Sequence, residues 1–157
     1  MQGSDDSFRP LSDLDPVAAV GLEAVVLSYH YLNAGDIDAY GSLLAAEAIL
    51  HRPGDDSVCG RGRIEEHWAH RVGADAGYRQ VDSVRIVCGS GSGVGAADGS
   101  GTQVIATGRL TRRGEVEIEF VDLHTVSRDG LLLSQKSYFF VDPQAPGSAG
   151  DGTPARL

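Results

Sequence analysis

Hydrophobic and polar positions divide the chain into a helical half and a stranded half. Asp15 and Pro16 suit a helix start, aspartate as cap and proline as first helical residue. Two apolar stripes follow, Val20, Ala24, Leu27, Tyr31 and Leu22, Val25, Val26, Tyr29, Leu32, which predict a helix that is apolar all round and deeply buried. Asn33, Ala34 and Gly35 supply a stop, because glycine tolerates the left-handed conformation in which helices commonly end. Asp36 can cap a short second helix, which Tyr40, Leu43 and Leu44 continue at helical spacing. Ala48, Ile49 and Leu50 read as a first strand closed by Pro53 and Gly54. Gly60 precedes a third helix with Glu65 and Glu66 in its first turn, Arg71 in its last and Gly73 as its cap.

From Tyr78 onward the pattern changes. Tyr78 to Cys88 carries β-branched weight in Val81, Val84, Ile86 and Val87. The glycine-rich segment 89–101 reads as a linker between strands or a flap over a site. Thr102 to Thr111 and Val116 to Val126 are two more strands. Ser127-Arg128-Asp129-Gly130 makes a tight turn into a last strand, Leu131 to Val141. Helices first and then an antiparallel meander predict an α+β domain, a strongly curved sheet wrapped on three N-terminal helices. One domain over residues 15–143 accounts for the 157 residues, with 1–14 and 144–157 as flexible tails.

Charge and composition remove several function classes. A formal net charge of −9, with Lys136 as the only lysine, argues against nucleic acid as partner. No apolar run reaches the roughly 20 residues of a membrane helix, and residues 1–10 lack the pattern of a signal peptide, so a cytoplasmic protein without membrane contact is expected. Cys59 and Cys88 form no CxxC pair and are expected to be buried thiols. His67 and His70 lie three apart on a helix without an acid at ligand spacing, so no metal is expected. The glycines of 89–101 precede a strand rather than a helix, which excludes a dinucleotide fingerprint.

Four stretches, in this order, carry a likeness: Gly35-Asp36-Ile37-Asp38; Ala48-Ile49-Leu50-His51-Arg52-Pro53; Gly60-Arg61-Gly62-Arg63-Ile64 with Trp68; and Asp129-Gly130-Leu131-Leu132 with Tyr138-Phe139. Together they resemble the nuclear transport factor 2-like superfamily, its SnoaL-like polyketide cyclase and ketosteroid-isomerase-like branches in particular. The resemblance implies a cone-shaped antiparallel or mixed sheet enclosing a pocket, and a far sheet face that often pairs with a second copy, hence a homodimer. It also implies a small apolar substrate and an activity without cofactor.

The closing hairpin concentrates the candidate chemistry. A turn flanked by Ser127 and Gly130 sets Asp122 opposite Gln135, His124 opposite Leu133 and Phe120 opposite Ser137, with Phe139 on the same face. Asp122 and His124 then emerge on one side roughly 7 Å apart. Burying such polar groups costs about 1–3 kcal/mol each unless they are bonded, so a pocket is the simpler explanation. Histidine titrates near ~6.5 and is the usual acid–base group. By resemblance, Asp122 falls where the isomerases carry an oxyanion-binding aspartic acid, and His124 near a histidine of the cyclases. The isomerase base falls instead at Arg52, its oxyanion tyrosine at Ser28, and the cyclase aspartate at or beside Ser137.

The candidate catalytic residues are therefore His124, Asp122 and Arg52, the last as an anchor for a substrate oxygen or a neutraliser of Asp122. Trp68, Gln135, Ser137, Phe139, Phe120, Tyr29 and Ser28 are candidate substrate contacts. His51 and Arg52 point opposite ways, so only one faces inward. Tyr31 and Tyr40 are further hydroxyls, Tyr40 the least favoured. The expected activity is cyclisation, isomerisation or dehydration of an apolar, oxygen-bearing natural-product intermediate by positioned proton transfer. The alternative is a binding or assembly protein whose pocket only holds a ligand.

Overall fold

In the computed structural model, which describes residues 16–72, 77–87, 101–112 and 117–140, three helices precede and interrupt one six-stranded sheet. The helices are α1 (Pro16–Ala34), α2 (Ile37–Ser42) and α3 (Arg61–Val72). The strands are β1 (Leu44–His51), β2 (Val58–Cys59), β3 (Tyr78–Val87), β4 (Thr102–Thr111), β5 (Ile118–Val126) and β6 (Leu132–Phe140). Their order across the sheet is β2-β1-β6-β5-β4-β3, antiparallel except for the β1–β6 pair. The expected α+β architecture is the one observed. The tails 1–14 and 144–157, the Gly73 cap, Cys88 and most of the glycine-rich segment lie outside the described residues.

Local chemistry explains the helical half. Gly35 at φ +72° ends α1, and the Asp36 side chain accepts from the Ala39 backbone N–H at 3.0 Å to start α2. That helix stops at Ser42 rather than running through Leu44. Leu44 starts β1 instead, where it pairs with Leu132, and the Arg61 guanidinium donates to its carbonyl at 2.7 and 3.0 Å. β1 is consequently longer than the three-residue strand expected. Glu65 and Glu66 fall beyond the first turn of α3, which holds no acid. The two stripes of α1 do not both bury: Ala24, Val25, Tyr29 and Leu32 face the core, while Val20 and Val26 remain 44% and 46% exposed. A helix lying on one sheet face has a single covered side.

The core sits between α1, α3 and the inner sheet face. Val104, Ala106, Leu110, Phe120 and Val126 alternate with half-buried or exposed neighbours along β4 and β5, and meet Tyr29, Ile64 and Trp68 from the helices. Gly108 allows β3 and β4 to close up. A Cβ there would run into the Gln80 carbonyl and the Phe120 ring. Asn33 ties the end of α1 to β3, its side chain bonding both backbone groups of Arg79 at 2.8 and 2.9 Å.

The hairpin register differs from the expectation by two residues. Ser127 N–H donates to the Leu131 carbonyl at 2.8 Å, one residue beyond a four-residue turn, and the pairing shifts again between Thr125 and Val126. Asp122 therefore faces Ser137, His124 faces Gln135 and Phe120 faces Phe139. An even shift leaves every side chain on its expected face. Cys59 in the short β2 is exposed, against the expectation of a buried thiol, because β2 is an edge strand whose neighbouring Val58, not Cys59, turns toward the core.

A buried polar group on the closing hairpin

Beneath α1 the inner face of β5 and β6 is polar. Asp122, His124, Gln135 and Ser137 are 2%, 0%, 6% and 5% exposed, among aromatic and aliphatic neighbours. Tyr29 reaches them from α1, donating its hydroxyl hydrogen to Asp122 Oδ2 at 2.7 Å, while His124 Nε2 lies 2.9 Å from the Tyr29 hydroxyl oxygen. Since that hydrogen goes to Asp122, the short contact to His124 is satisfied by the tautomer carrying its hydrogen on Nε2. Gln135 Nε2 donates to Asp122 Oδ2 at 3.0 Å and lies 3.4 Å from Ser137 Oγ. Tyr29 thus links the two residues that the sequence put forward as acid and base.

Three acceptors of this group are left without hydrogen-bond partners: Asp122 Oδ1, His124 Nδ1 and Gln135 Oε1. Unpaired buried acceptors cost about 1–3 kcal/mol each, so their accumulation on one face favours a donor arriving from a ligand. Burial lowers the His124 pKa to about 4, with Asp122 pushing upward against it. His124 is consequently neutral at pH 7, an acceptor at Nδ1 rather than the acid-or-base switch an ordinary histidine would be. Burial, reinforced by the charge of Asp122 and its hydrogen bond, raises Tyr29 well above the ordinary phenol value, so it stays protonated.

Arginines complete the electrostatics. Arg52 does turn inward. Its side chain is 7% exposed, with the guanidinium carbon 5.2 Å from the Trp68 ring centre and 5.5 Å from that of Phe139. His51 points the other way, to Ser57 Oγ at 2.7 Å. The cation acting on Asp122, however, is Arg79, 5% exposed on β3 and 4.8 Å from the Trp68 ring centre. The sequence reading missed it.

The remaining candidates separate by position. Phe120 stacks 6.0 Å from Tyr29, while Trp68 meets Tyr40 edge-on at 6.4 Å. Ser28 does not join the polar group, since its hydroxyl donates to the Val25 carbonyl of its own helix at 2.7 Å. Tyr31 is half-buried. Tyr40, the least favoured tyrosine, is 1% exposed and is pushed up to about 12 by burial, the Trp68 indole lowering it. The Trp68 N–H nevertheless lies outside hydrogen-bond geometry. A cavity of about 10 Å³ lies between Tyr40, Leu50, Ile64, Leu132 and Gln135, room for about one water. Among the described residues no three His, Cys, Asp or Glu side chains cluster as metal ligands would.

A curved mixed sheet closed over helices, with a polar group on its inner face, defines the cone-shaped small-ligand folds. Residues 25–135 match the SnoaL-like domain, and the chain belongs to that family, within the nuclear transport factor 2-like superfamily. A comparison with curated protein sequences finds no match.

Among solved structures, a putative polyketide cyclase from Sinorhizobium meliloti superposes with TM-score 0.60 at 14% identity, over 82% of this chain and 99% of that one. SalBIII, described as an epoxide hydrolase/cyclase-like enzyme in pyran ring formation in polyether salinomycin, gives TM-score 0.54 at 20% identity, over 76% and 89%. The Orange Carotenoid Protein of Anabaena, binding canthaxanthin, gives 0.63 at 17% identity, over 76% of this chain and 36% of that one. At these identities the likeness establishes the fold. Among the described residues no helix is long and apolar enough to cross a membrane.

Proposed function

We propose that the protein is a cofactor-independent acid–base enzyme that cyclises, isomerises or dehydrates an apolar, oxygen-bearing natural-product intermediate. One observation carries the reading: Asp122 and His124 are joined through the Tyr29 hydroxyl at Oδ2 and Nε2, and each keeps a buried acceptor without a partner, Oδ1 and Nδ1. In this scheme Asp122 takes a proton from the substrate. Neutral His124 accepts from a substrate hydroxyl and holds the phenol of Tyr29 toward Asp122. Each of the three reaction types removes a proton at one position and returns one at another, and all need only groups held in place. Phe120, Phe139 and Trp68 supply apolar walls, and Arg52 anchors a substrate oxygen.

A second reading, a ligand-holding protein without turnover, draws support from the closure of the polar group and from the absence of an acid at Arg52 and Ser137. Asp122→Asn and His124→Ala separate the two. Turnover of a polyketide-like substrate should fall about a hundredfold or more for a proton-transfer enzyme. Variants that change only ligand affinity would sink the catalytic reading.

A homodimer belongs to the same proposal. The outer sheet face exposes Tyr138 and Phe140, 42% and 55%, beside a depression of about 390 Å³ lined by Thr107, Glu119, Val121 and Phe140. The exposed thiol of Cys59 suits the reducing cytoplasm we assign to it.

A further inference from the structure

Arg52 and Arg79 come from opposite parts of the sheet, one just after β1 and the other on β3, yet both guanidinium groups lie over the single tryptophan of the chain. Burial lowers the proton affinity of both, the charge of Arg79 lowers that of Arg52 further, and Arg112 acts on both in the same direction. In a chain of net charge −9, acids to match these cations are abundant, but few stand here. Asp55 meets Arg52 Nε only at 3.9 Å, is itself 47% exposed, and is shared with Arg71 at 3.4 Å. Asp122 acts on Arg79 but already accepts at Oδ2 from Tyr29 and Gln135. Arg52 Nε is buried and makes no hydrogen bond.

We propose that the substrate carries a carboxylate, held by Arg52 against Trp68 and Phe139 beside Arg79. An anion there supplies the acceptor that the buried Arg52 N–H lacks and relieves the repulsion between like charges. Arginine presents a planar fork that matches a carboxylate, and stacking on two rings fixes the plane of that fork. A monoanion fits better than a phosphate dianion, since Asp122 shares the same interior and repels added negative charge. The ligand is then amphipathic: a carboxylate at the arginines, an apolar body along Phe139 and Phe120, and a hydroxyl or acidic C–H at the acceptors of Asp122 and His124. This deepens the acid–base reading and rests on it only in calling the occupant a substrate.

The test uses unreactive probes, so it does not depend on turnover. Cyclohexanecarboxylate, cyclohexanecarboxamide and inorganic phosphate are titrated into the full chain, with Trp68 fluorescence and calorimetry as readouts. The carboxylate should bind about tenfold or more tightly than the amide, as a charge-assisted hydrogen bond requires. Added salt should weaken that preference, and phosphate should not compete at equal concentration. Arg52→Gln should bring the acid down to the amide's affinity, and Arg52→Lys should restore part of the difference.

Equal affinity for acid and amide, no binding of either up to about 10 mM, or displacement of the acid by equimolar phosphate would each overturn the proposal. Where Arg52→Gln does not fold, the acid–amide comparison on the unaltered protein still decides. A tenfold acid preference alongside fully active Asp122 and His124 variants would sink the proton-transfer reading alone. Equal binding alongside hundredfold losses in those variants would sink the carboxylate site alone.

Discussion

His124 is held neutral, and that state leaves a signature in stability. Its folded pKa is about 4, because burial disfavours the imidazolium more than Asp122 favours it; in the unfolded chain it returns to about 6.5. Between those two values the unfolded chain binds more protons than the folded one, so stability rises with pH. The contribution is fully present above about pH 6.5 and is lost as pH falls through about 4. The drop from about 6.5 to about 4 corresponds to about 3 kcal/mol, the larger part of which has gone by about pH 4.5.

The comparison protein is His124→Gln, whose side-chain amide nitrogen can still donate to Tyr29. Urea unfolding at steps between about pH 7.5 and about pH 4.5 gives two curves. Subtracting them removes the carboxylates and His67, which burial shifts in the same direction. The unaltered protein should lose roughly 2–3 kcal/mol more than the variant across this interval. Parallel curves, or an imidazole resonance of His124 titrating near pH 6.5, would refute a buried neutral histidine.

Tyr29→Phe removes the hydroxyl shared by Asp122 and His124 and should destabilise the fold by about 1–3 kcal/mol, read from the urea midpoint. Gly108→Ala drives a methyl group into the Gln80 carbonyl and the Phe120 ring; a loss of about 1–3 kcal/mol or more is expected, measured by thermal unfolding. Asp36→Ala removes the cap of α2 and should cost about 1 kcal/mol, with α-helical circular dichroism otherwise retained. Tyr138→Glu places charge on the outer sheet face and should halve the mass seen by sedimentation if that face joins two copies, while monomers at all concentrations before substitution would remove the dimer.

Much of the fold was legible because helix caps and the change from helical spacing to strand-like alternation are local signals. Asp36, Gly35, Gly60 and Gly130 each mark a boundary through their own backbone chemistry. The polar face of β5 was legible for the same reason: Phe120, Asp122, His124 and Val126 must share a side. What alternation does not encode is where it slips. The extra residue near Asp82 shifts the β3 pairing between Val81 and Ser83, so counting back from Val84 and Ile86 puts Arg79 outside. The structure puts Arg79 inside, opposite the buried Leu110. The irregularity in β5–β6 moved the expected partners by two residues but spared the faces. Ser28 stands apart from the polar group on different grounds, since a serine in a helix can spend its hydroxyl on the preceding turn.

The parallel contact between β1 and β6 also governs how the protein can assemble. Among the described strands β6 alone touches both β1 and β5, so without it the sheet would fall into a two-stranded piece and a three-stranded meander. Leu50 must find Gln135 across a sequence separation of 85, a distant closure that makes folding slow relative to a helical bundle of this size. The same strand supplies Gln135 and Ser137, so the polar group and the joined sheet are completed by one event. A chain that has not docked β6 has an incomplete polar group, and a chain whose polar group is complete has already finished its sheet.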